Sequence, residues 1–435
     1  MNNKKNTSQR GKFQRNKSQE SRHNNRNRKP DNKQASSSGR SFNGGKKRGF
    51  GSKNSRGSKK KRPSFDPSIF INKNPVEQIL EVYKPKHTFF DFGFDKNITN
   101  RLSKMGLVHP SPIQDQIIPE ILLGKDVVGI AETGTGKTAA FLLPLIQKTL
   151  QNKNLQTLIM TPTRELAIQI EEELQRLSYG LIGREKLSST VCVGGAYIRP
   201  QINGLRKKNH FIIGTPGRLI DLYEKKHFDT TKVTAVVLDE ADRMLDMGFI
   251  NQIKTLLSNI PKERETLFFS ATIDDRTNKL VGDFLRNPTI ISVKKKDVTN
   301  SIKQDVVYHG PNDKFEKLSS LLNEQQYQRV IIFGSMKHSV EKLSKQLNSS
   351  GISSESIHGN KNHQQRQRAL NNFKNGKVKV LTATDVAARG IHVNDVSHVI
   401  NYDLPGTFED YVHRIGRTGR GDKKGEALTF VSGNK

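Results

Sequence analysis

Short hydrophobic runs alternate with stretches of helical periodicity from about residue 87 onward. Helical stretches such as TAAFLLPLIQKTL and RELAIQIEEELQRL lie between the runs. Strands that are apolar on both faces and alternate with helices predict parallel sheets covered by helices, so the predicted fold class is α/β. The runs are DVVGI at 126, TLIM at 157, HFIIG at 210, AVVLDEAD at 235, TLFFSAT at 266, VIIFGS at 330, VKVLTATD at 378 and HVINYDLP at 398.

The alternation is interrupted near residue 293, where the polar stretch SVKKKDVTNSIKQ replaces the hydrophobic runs. We interpret residues 293–303 as a linker between two α/β domains, which span residues 87–292 and 304–435. Residues 63–86 are interpreted as a connecting segment, because prolines stand at positions 63, 67, 75 and 85 around one short amphipathic piece, VEQILEVY.

The first 62 residues carry +19 of the formal net charge of +31, with 21 Lys or Arg against two acids. So few of them are apolar that burial does not offset the entropy of ordering the chain, which predicts a disordered basic tail over residues 1–62. Arg and Gly beside Phe42 and Phe50 favour an electrostatic tether to RNA or DNA. A solubilising tail, an expression artefact and a nuclear signal at KKKR (59–62) are the alternatives.

Cysteine content and the length of the hydrophobic runs exclude other classes of protein. The single cysteine, Cys192, excludes an internal disulfide framework and a cysteine-cluster zinc site. The longest apolar runs, such as FLLPLI, are far shorter than the roughly 18 residues needed to cross a bilayer. We therefore expect a soluble, cytoplasmic protein without a membrane partner.

A Gly-rich turn between a predicted strand and a predicted helix has the pattern of a phosphate-binding loop. Its glycines let backbone N–H groups converge on phosphate oxygens at a helix N-terminus. Lys137 is expected to reach the β- and γ-phosphates, and the Thr138 hydroxyl to help hold Mg²⁺. The strict pattern has Gly where Ala131 stands, and a turn with an incidental lysine is the alternative. The predicted ATP-binding residues of the loop are Ala131, Glu132, Thr133, Gly134, Thr135, Gly136, Lys137 and Thr138.

The run AVVLDEAD ends in acidic residues where an α/β sheet presents ligands at its carboxyl edge. Asp239 suits contact with Mg²⁺, and Glu240 suits positioning and deprotonating an attacking water. Acidic residues after a strand also occur as ordinary helix caps. The phosphate loop about one hundred residues upstream favours the catalytic interpretation.

Nine short motifs occur in order and at fitting distances: AETGTGKT, PTRELA at 162, GG at 194, TPGR at 215, DEAD at 239, SAT at 270, IIF at 331, TATDVAARG at 382 and HRIGRTGR at 413. With them the chain resembles the DEAD-box ATP-dependent RNA helicases over roughly residues 87–435. HGNK at 358 and the layout of a tail before the core resemble most the bacterial RhlE group. The resemblance implies two tandem RecA-like domains, with ATP between them and RNA across both.

The resemblance also implies how adenine is recognised. Gln114, in GLVHPSPIQ, has the amide geometry to pair with the N6/N7 edge of adenine. The stacking aromatic residue corresponds to Phe89, with Phe90 and Phe92 as neighbours and core packing as the alternative. His392 stands where the family usually has an Asp facing the ribose, and its imidazole gains charge below pH about 6.5.

Charged and small polar residues in both domains match the family's catalytic and coupling positions. Arg417 and Arg420 match the arginine fingers that neutralise charge on the transferred phosphoryl group, although such arginines elsewhere are often surface residues. His413 matches a position that links the ATP and RNA sites. Ser270 and Thr272 match the motif that couples hydrolysis to strand separation, with turn hydrogen bonding as the alternative.

The implied RNA contacts are small residues, hydroxyls and arginines that face a phosphate backbone, so the binding is expected to be independent of sequence. Together with His392, two further departures limit the transfer: His363 replaces a usual Gln, and the chain ends 15 residues after Arg420. The predicted RNA-binding residues are Thr163, Arg164, Gly194, Gly195, Thr215, Gly217 and Arg218 on the first domain, and Gly359, Arg366 and Thr384 on the second.

The leading hypothesis is a monomeric enzyme that hydrolyses ATP when RNA is bound and locally melts short duplexes without processive movement. An ATP-dependent RNA clamp with slow turnover is the main alternative. A basic RNA-binding protein with a vestigial nucleotide site and a processive DNA translocase are weaker ones. The retained set of Lys137, Asp239, Glu240, Arg417 and Arg420 argues against a vestigial site.

Removing residues 1–62 is expected to flatten the dependence of RNA affinity on salt. Each tail contact with a single-strand phosphate adds about 0.7 to the slope of log affinity against log salt concentration. The measurement is RNA binding by the full chain and by a chain beginning at residue 63, over a range of salt. Equal slopes for both chains would show that the tail does not engage RNA.

Overall fold

A computed structural model describes residues 66–73, 75, 83–132, 134–181, 187–293, 302–388, 393, 395–419 and 425–433. The predicted tail at 1–62 lies outside the described residues, as does most of the predicted linker at 293–303. Within these ranges the chain forms two parallel sheets with helices on both faces. The predicted α/β fold class with two parallel-sheet domains is therefore confirmed.

The first domain contains seven strands and nine α-helices among the described residues. The strands are β1 (Val127–Ile130), β2 (Thr157–Met160), β3 (Ser189–Cys192), β4 (Phe211–Gly214), β5 (Ala235–Leu238), β6 (Glu265–Ser270) and β7 (Thr289–Ser292). The helices are α1 (Lys96–Lys104), α2 (Pro112–Leu122), α3 (Lys137–Gln151), α4 (Arg164–Ser178), α5 (Ile198–Leu205), α6 (Pro216–Glu224), α7 (Ala241–Asp246), α8 (Ile250–Ser258) and α9 (Asp275–Phe284).

The second domain contains six strands and five α-helices among the described residues. The strands are β8 (Lys303–His309), β9 (Val330–Phe333), β10 (Ser354–Ile357), β11 (Val380–Ala383), β12 (His398–Asn401) and β13 (Glu426–Ser432). The helices are α10 (Lys314–Asn323), α11 (Lys337–Ser349), α12 (His363–Lys374), α13 (Asp385–Ala388) and α14 (Phe408–Ile415).

Alternate residues of the central strands pack on opposite faces of the first sheet, whose order is β3-β4-β2-β5-β6-β1-β7. Ile159 and Val237 join the hydrophobic cluster under α1 to α4, whereas Leu158 and Val236 join the cluster under α6 to α9. Side chains alternate in this way along any strand, and here both sides are apolar. The sheet is thus the middle layer of three.

The second sheet has the order β10-β11-β9-β12-β13-β8 and is also parallel. Ile331 and Leu381 pack in the cluster on one face, and Ile332 and Val380 pack in the cluster on the other. Among the described residues of both domains, no helix combines the length and hydrophobicity that a bilayer crossing requires.

The segment before the first domain is more than a connection. A 3-10 turn at Pro67–Phe70 packs against the second domain, and Asn72 forms an antiparallel bridge with Gln304 on β8. Further along, the Tyr83 hydroxyl donates to Asp115 Oδ2 on α2 of the first domain, at 2.5 Å. The proline pattern indicated only a linker, because these contacts join residues more than 200 positions apart or depend on the folded sheet.

One buried ion pair joins the two domains. Arg366, on α12, places Nη2 2.8 Å from Glu165 Oε2 on α4, and its Nε lies 2.8 Å from Glu165 Oε1. Both side chains are almost fully buried, with 9% and 1% of their surface exposed. The pairing with Glu165 makes Arg366 a residue of the domain interface. Its contact with RNA stays a prediction.

Arg366→Ala is expected to shift the protein away from this closed arrangement, because it leaves Glu165 buried without its partner, at a cost of about 3 to 5 kcal/mol. The measurement is energy transfer between dyes on Glu263→Cys and Lys345→Cys, with an ATP analogue and single-stranded RNA, the ligands that the resemblance implies. Cys192 is buried and does not compete for the dyes.

Arg368→Ala is the matched control, since Arg368 lies on the same helix, is 76% exposed and approaches Glu355 only to 3.7 Å. Adding Glu165→Gln to Arg366→Ala is expected to recover part of the closure, because neither charge is then left unpaired. Equal energy transfer in Arg366→Ala and the control would contradict a closing role for the pair.

Candidate functional site

The strand order gathers the predicted ATP residues on one half of the first sheet. The phosphate loop follows β1, Asp239 and Glu240 follow β5, and Ser270 ends β6. These three strands are neighbours, in the order β5-β6-β1. Because parallel strands end at the same edge, residues separated by more than one hundred positions meet there.

The phosphate loop is held by side chains from the start of α2. Gln114 donates from Nε2 to the Gly136 carbonyl at 3.0 Å and accepts from Ser111 N at 2.9 Å. Ser111 donates from Oγ to the Thr135 carbonyl at 2.7 Å. Gly136 has φ +94°, and a Cβ there would lie 2.5 Å from Gln114 Nε2. Gln114, predicted to read adenine, thus also braces the loop, a contact that the sequence did not indicate.

The charges of Lys137 and Asp239 interact at the base of the phosphate loop. Lys137 is buried and donates from Nζ to the Ala131 carbonyl at 2.8 Å. Burial raises the pKa of Asp239 to about 6, although the Lys137 charge opposes the shift. The backbone N–H of Glu240 donates to Asp239 Oδ1 at 3.0 Å. Asp239 is therefore a buried carboxylate whose negative charge is only partly compensated.

Glu240 is held in a conformation that leaves one carboxylate oxygen available. Its backbone is left-handed, with φ +53°, which is a strained conformation for a residue with a side chain. Oε2 accepts from Arg243 Nη1 at 3.0 Å, whereas no described residue donates to the buried Oε1. Burial alone would raise the pKa of Glu240, but Arg243, Lys137 and Arg417 lower it below its ordinary value. Glu240 is thus kept ionised.

Asp242 connects the acidic motif to the segment after β6. Its Oδ2 accepts from the backbone N–H groups of Ala271 and Thr272, both at 3.0 Å, and from Thr272 Oγ1 at 3.1 Å. Ser270 donates from Oγ to the Thr272 carbonyl at 2.6 Å. Sequence reasoning missed Asp242. It is the last residue of the DEAD motif, but its partners after β6 become neighbours only when the sheet forms.

The predicted RNA residues of the first domain lie on the other half of the same sheet edge. They follow β2, β3 and β4, which are neighbours in the order β3-β4-β2. Arg164 lies against Gly194 and Gly195: its Nη2 is 3.6 Å from the Cβ position of Gly194, and a Cβ at Gly195 would collide with its Nη1. Arg218 approaches the Ala196 carbonyl at 3.4 Å. The paired glycines therefore leave room for a guanidinium group.

The remaining predicted RNA residues lie at helix starts and turns. Thr163 caps α4, where its Oγ1 accepts from Leu166 N at 3.2 Å, and Thr215 precedes α6. Gly217 is exposed in the first turn of α6. On the second domain, Gly359 follows β10 and Thr384 follows β11, which are neighbouring strands. The structure thus places both second-domain residues at the carboxyl edge of one sheet.

Helix α14 and the turn after it bring cations toward the acidic residues. Arg417 is buried, and its charge lowers the pKa of Glu240 in the other domain. The neighbouring Arg414, which is 2% exposed, forms a fork on Asp385, with Nε at 2.6 Å from Oδ1 and Nη2 at 2.8 Å from Oδ2. It also donates to the Asp403 carbonyl. Sequence reasoning missed Arg414, which anchors the helix that precedes Arg417.

Some predicted residues are placed differently or lie outside the described ranges. Phe89 is 2% exposed and packs edge-on against Phe92 in the first-domain core, which agrees with the alternative of core packing. Its stacking on adenine stays a prediction. The neighbouring Phe90 is exposed. Burial lowers the pKa of His363, which lies near the Glu165 charge. The predicted residues outside the described ranges are Thr133, His392 and Arg420.

Comparison with protein-family models gives two matches. The DEAD/DEAH box helicase model matches residues 111–281. The model described as the helicase conserved C-terminal domain matches residues 313–422. The first match contains the phosphate loop, DEAD and SAT, and the second contains TATD and HRIGRTGR.

Relatives of known name match at high identity. The ATP-dependent RNA helicase CshA of Listeria monocytogenes is 46% identical over 345 residues, which cover 79% of this chain and 66% of that protein. The DEAD-box ATP-dependent RNA helicase CshA of Bacillus subtilis is 43% identical over 348 residues, covering 79% of this chain and 69% of the relative. The names of these relatives do not specify the RhlE group, so that finer assignment stays a prediction.

Solved structures of similar proteins share both domains. Saccharomyces cerevisiae Dbp5 bound to RNA and ADP BeF3 matches with a TM-score of 0.69 and 32% identity, covering 80% of this chain and 90% of that one. Mss116p bound to ssRNA and AMP-PNP matches with a TM-score of 0.70 and 29% identity, covering 80% and 76%. With the family models, the relatives and the site geometry in agreement, the chain belongs to the DEAD-box family of ATP-dependent RNA helicases.

Proposed function

We propose that this chain hydrolyses ATP at the edge formed by β5, β6 and β1 and uses the reaction to remodel RNA held along the edge formed by β3, β4 and β2. The observation that carries the proposal is the state of Glu240: ionised, buried, and with Oε1 left without a donor among the described residues. Such an oxygen can accept a hydrogen bond from a water and take its proton.

The residues at the phosphate loop fit a divalent cation. Asp239 is a buried carboxylate with a raised pKa, and the Thr138 hydroxyl belongs to the first turn of α3. Oxygen donors of this kind suit Mg²⁺, so we propose that these two residues hold it. When bound, the ion neutralises charge on the phosphate oxygens. Lys137 adds a fixed positive charge from the protein at the same place.

Arg417 completes the charge arrangement from the second domain. Its effect on the pKa of Glu240 places its charge near the acidic residues when the domains are closed. A cation at this position stabilises the negative charge that develops as the phosphoryl group is transferred. Because Arg417 and Glu240 belong to different domains, hydrolysis requires closure. The buried pair between Arg366 and Glu165 favours the same closed state.

RNA binding is proposed along the glycine-lined half of the sheet edge. The Dbp5 and Mss116p structures that match this chain hold RNA, and both cover four-fifths of it. In this chain, Arg164, Gly194, Gly195 and Arg218 form a surface of cations and exposed backbone. Contacts of this type bind phosphates and do not read bases. We therefore propose RNA binding that is independent of sequence, with the basic tail adding affinity.

Asp242 links the acidic motif after β5 to the segment after β6, and β5 is the strand that borders the RNA half. Its carboxylate accepts three hydrogen bonds from Ala271 and Thr272. A change at the acidic motif on hydrolysis would therefore reach Ser270 and Thr272 through the Asp242 side chain. This linkage favours local, non-processive melting of short duplexes over a clamp, in which closure would not need to be relayed.

Glu240→Gln is expected to lower RNA-stimulated phosphate release by about 10²- to 10⁴-fold, the range for loss of a general base, while RNA is retained in the presence of ATP. Lys137→Ala is expected to weaken ATP binding as well as turnover. Glu263→Gln is the matched control, because Glu263 is exposed at the opposite end of β6. Lack of RNA stimulation in the unmodified chain would exclude the helicase function. Slow release with long-lived RNA retention would favour the clamp.

Asp242→Asn is expected to uncouple unwinding from hydrolysis, lowering duplex unwinding about tenfold per ATP hydrolysed. The amide has the size of the carboxylate, but its NH₂ group then faces either Arg243 N or the three donors from Ala271 and Thr272. One clash between donors is unavoidable, and loss of a charge-assisted hydrogen bond costs about 1.5 to 3 kcal/mol.

The measurement is the ratio of unwinding rate to ATPase rate on a short RNA duplex. Asp246→Asn serves as the control, since Asp246 lies on the same helix in an exposed pair with Arg276. An unchanged ratio in Asp242→Asn would show that the contact with the segment after β6 has no coupling role.

A further inference from the structure

Residues 66–73, which precede the first domain in sequence, pack on the second domain beside the helix that leads to Arg417. Asp66 caps the short turn by accepting from Ser68 N at 2.9 Å. The turn directs Phe70 inward, where only 1% of it remains exposed. The chain then runs antiparallel to β8, with Asn72 N donating to the Gln304 carbonyl at 2.9 Å and Gln304 N donating to the Asn72 carbonyl at 2.8 Å.

Phe70 fills a small hydrophobic cluster that includes the inner face of α14. Its ring lies 4.7 Å from the ring of Tyr411, at an interplanar angle of 56°. Ile302, Ile415 and Ala427 complete the cluster. Removing the Phe70 ring from water stabilises this packing, so the contact helps to hold α14 on the sheet.

The backbone bridge and the aromatic contact act on the same helix. The Tyr411 hydroxyl donates to the side chain of Gln304, at Oε1, at 2.7 Å. The backbone of the same Gln304 pairs with Asn72. Ile415, the last residue of α14, touches the cluster two positions before Arg417. The position of the Arg417 backbone is therefore determined in part by a segment that lies outside both family matches.

We propose that residues 66–73, which we call the N-terminal strap, position α14 so that Arg417 meets the phosphoryl group, with Phe70 as the positioning residue. The inference rests on the proposed role of Arg417 in ATP hydrolysis. Phe70 touches neither nucleotide nor RNA in this proposal. It acts through Tyr411 and Ile415, and its effect belongs to the rate of the chemical step and not to nucleotide affinity.

Phe70→Ala in the full chain is expected to lower kcat for RNA-stimulated ATP hydrolysis about tenfold, because small displacements of a catalytic group have large effects on rate. KM for ATP is expected to change less than about twofold, since the phosphate loop and Gln114 are not in contact with the strap. Phe70→Leu keeps most of the buried surface and is expected to recover most of kcat. Ile69→Ala, in the same turn but 41% exposed, is the matched control.

A double-mutant cycle with Arg417→Ala separates positioning from simple stabilisation. If the strap acts through Arg417, Phe70→Ala has little further effect on single-turnover hydrolysis in the Arg417→Ala chain. Equal fold-losses in both backgrounds would overturn the proposal, as would a lowered Tm with unchanged kcat, which would make the strap only a cover for the edge of the sheet.

Asn72→Pro keeps the proposal testable if Phe70→Ala does not fold. Ile71 is already extended, with φ −115° and ψ +116°, as a residue before proline prefers. The substitution removes the N–H that bonds to Gln304 and leaves the cluster in place, and it is expected to lower kcat with KM unchanged. An unchanged kcat would overturn the proposed positioning role of the strap. In contrast, an unmodified chain whose ATP hydrolysis is not stimulated by RNA would overturn the proposed function itself.

Discussion

Parallel pairing is the constraint on which the site depends. Every described strand of both sheets runs parallel to its neighbours, so all strands of a sheet end at one edge, where backbone groups and the residues that follow them converge. In the first domain, the order β3-β4-β2-β5-β6-β1-β7 divides this edge into the proposed RNA half and the proposed ATP half, which meet between β2 and β5. The two proposed sites are adjacent because these two strands are hydrogen-bonded, and Asp242 ties the segments after β5 and β6 together within the ATP half.

Charge compensation across the domain boundary gives the arrangement its dependence on closure. Asp239 and Glu240 are both almost fully buried, which favours their neutral forms, yet only the pKa of Asp239 is raised. Glu240 differs because Arg243 and, from the other domain, Arg417 stabilise its charge. Separation of the domains removes one of these cations. In the closed state, the charge of Glu240, the proposed base, is thus stabilised by cations from both domains, and the Arg366 pair with Glu165 is formed in the same state.

The sequence predicted those features that depend on neighbours along the chain. Short apolar strands, the phosphate loop and DEAD are local patterns, and each was found in its expected element. The contacts of Gln114 with the loop, of Asp242 with Thr272, and of Arg414 with Asp385 join residues 22 to 30 positions apart, and the contact of Arg366 with Glu165 joins residues 201 apart. Pairings of this kind follow from strand order, which a single sequence does not specify. The interpretation of 63–86 as a simple connection was incomplete for the same reason.

After the strap, the chain continues to the first domain. The length of this connection limits how far the two domains can move apart. Asn72 is bridged to β8, and Tyr83, eleven residues later, donates to Asp115, the neighbour of Gln114 on α2. Eleven residues span at most roughly 36 to 40 Å when extended, so the two anchors set an upper limit on how far the domains can separate. The described contacts of the segment lie at its two ends. At one end Phe70 packs against the helix before Arg417, and at the other Asp115, on the helix that carries Gln114, accepts hydrogen bonds from Tyr83 Oη and Lys86 N.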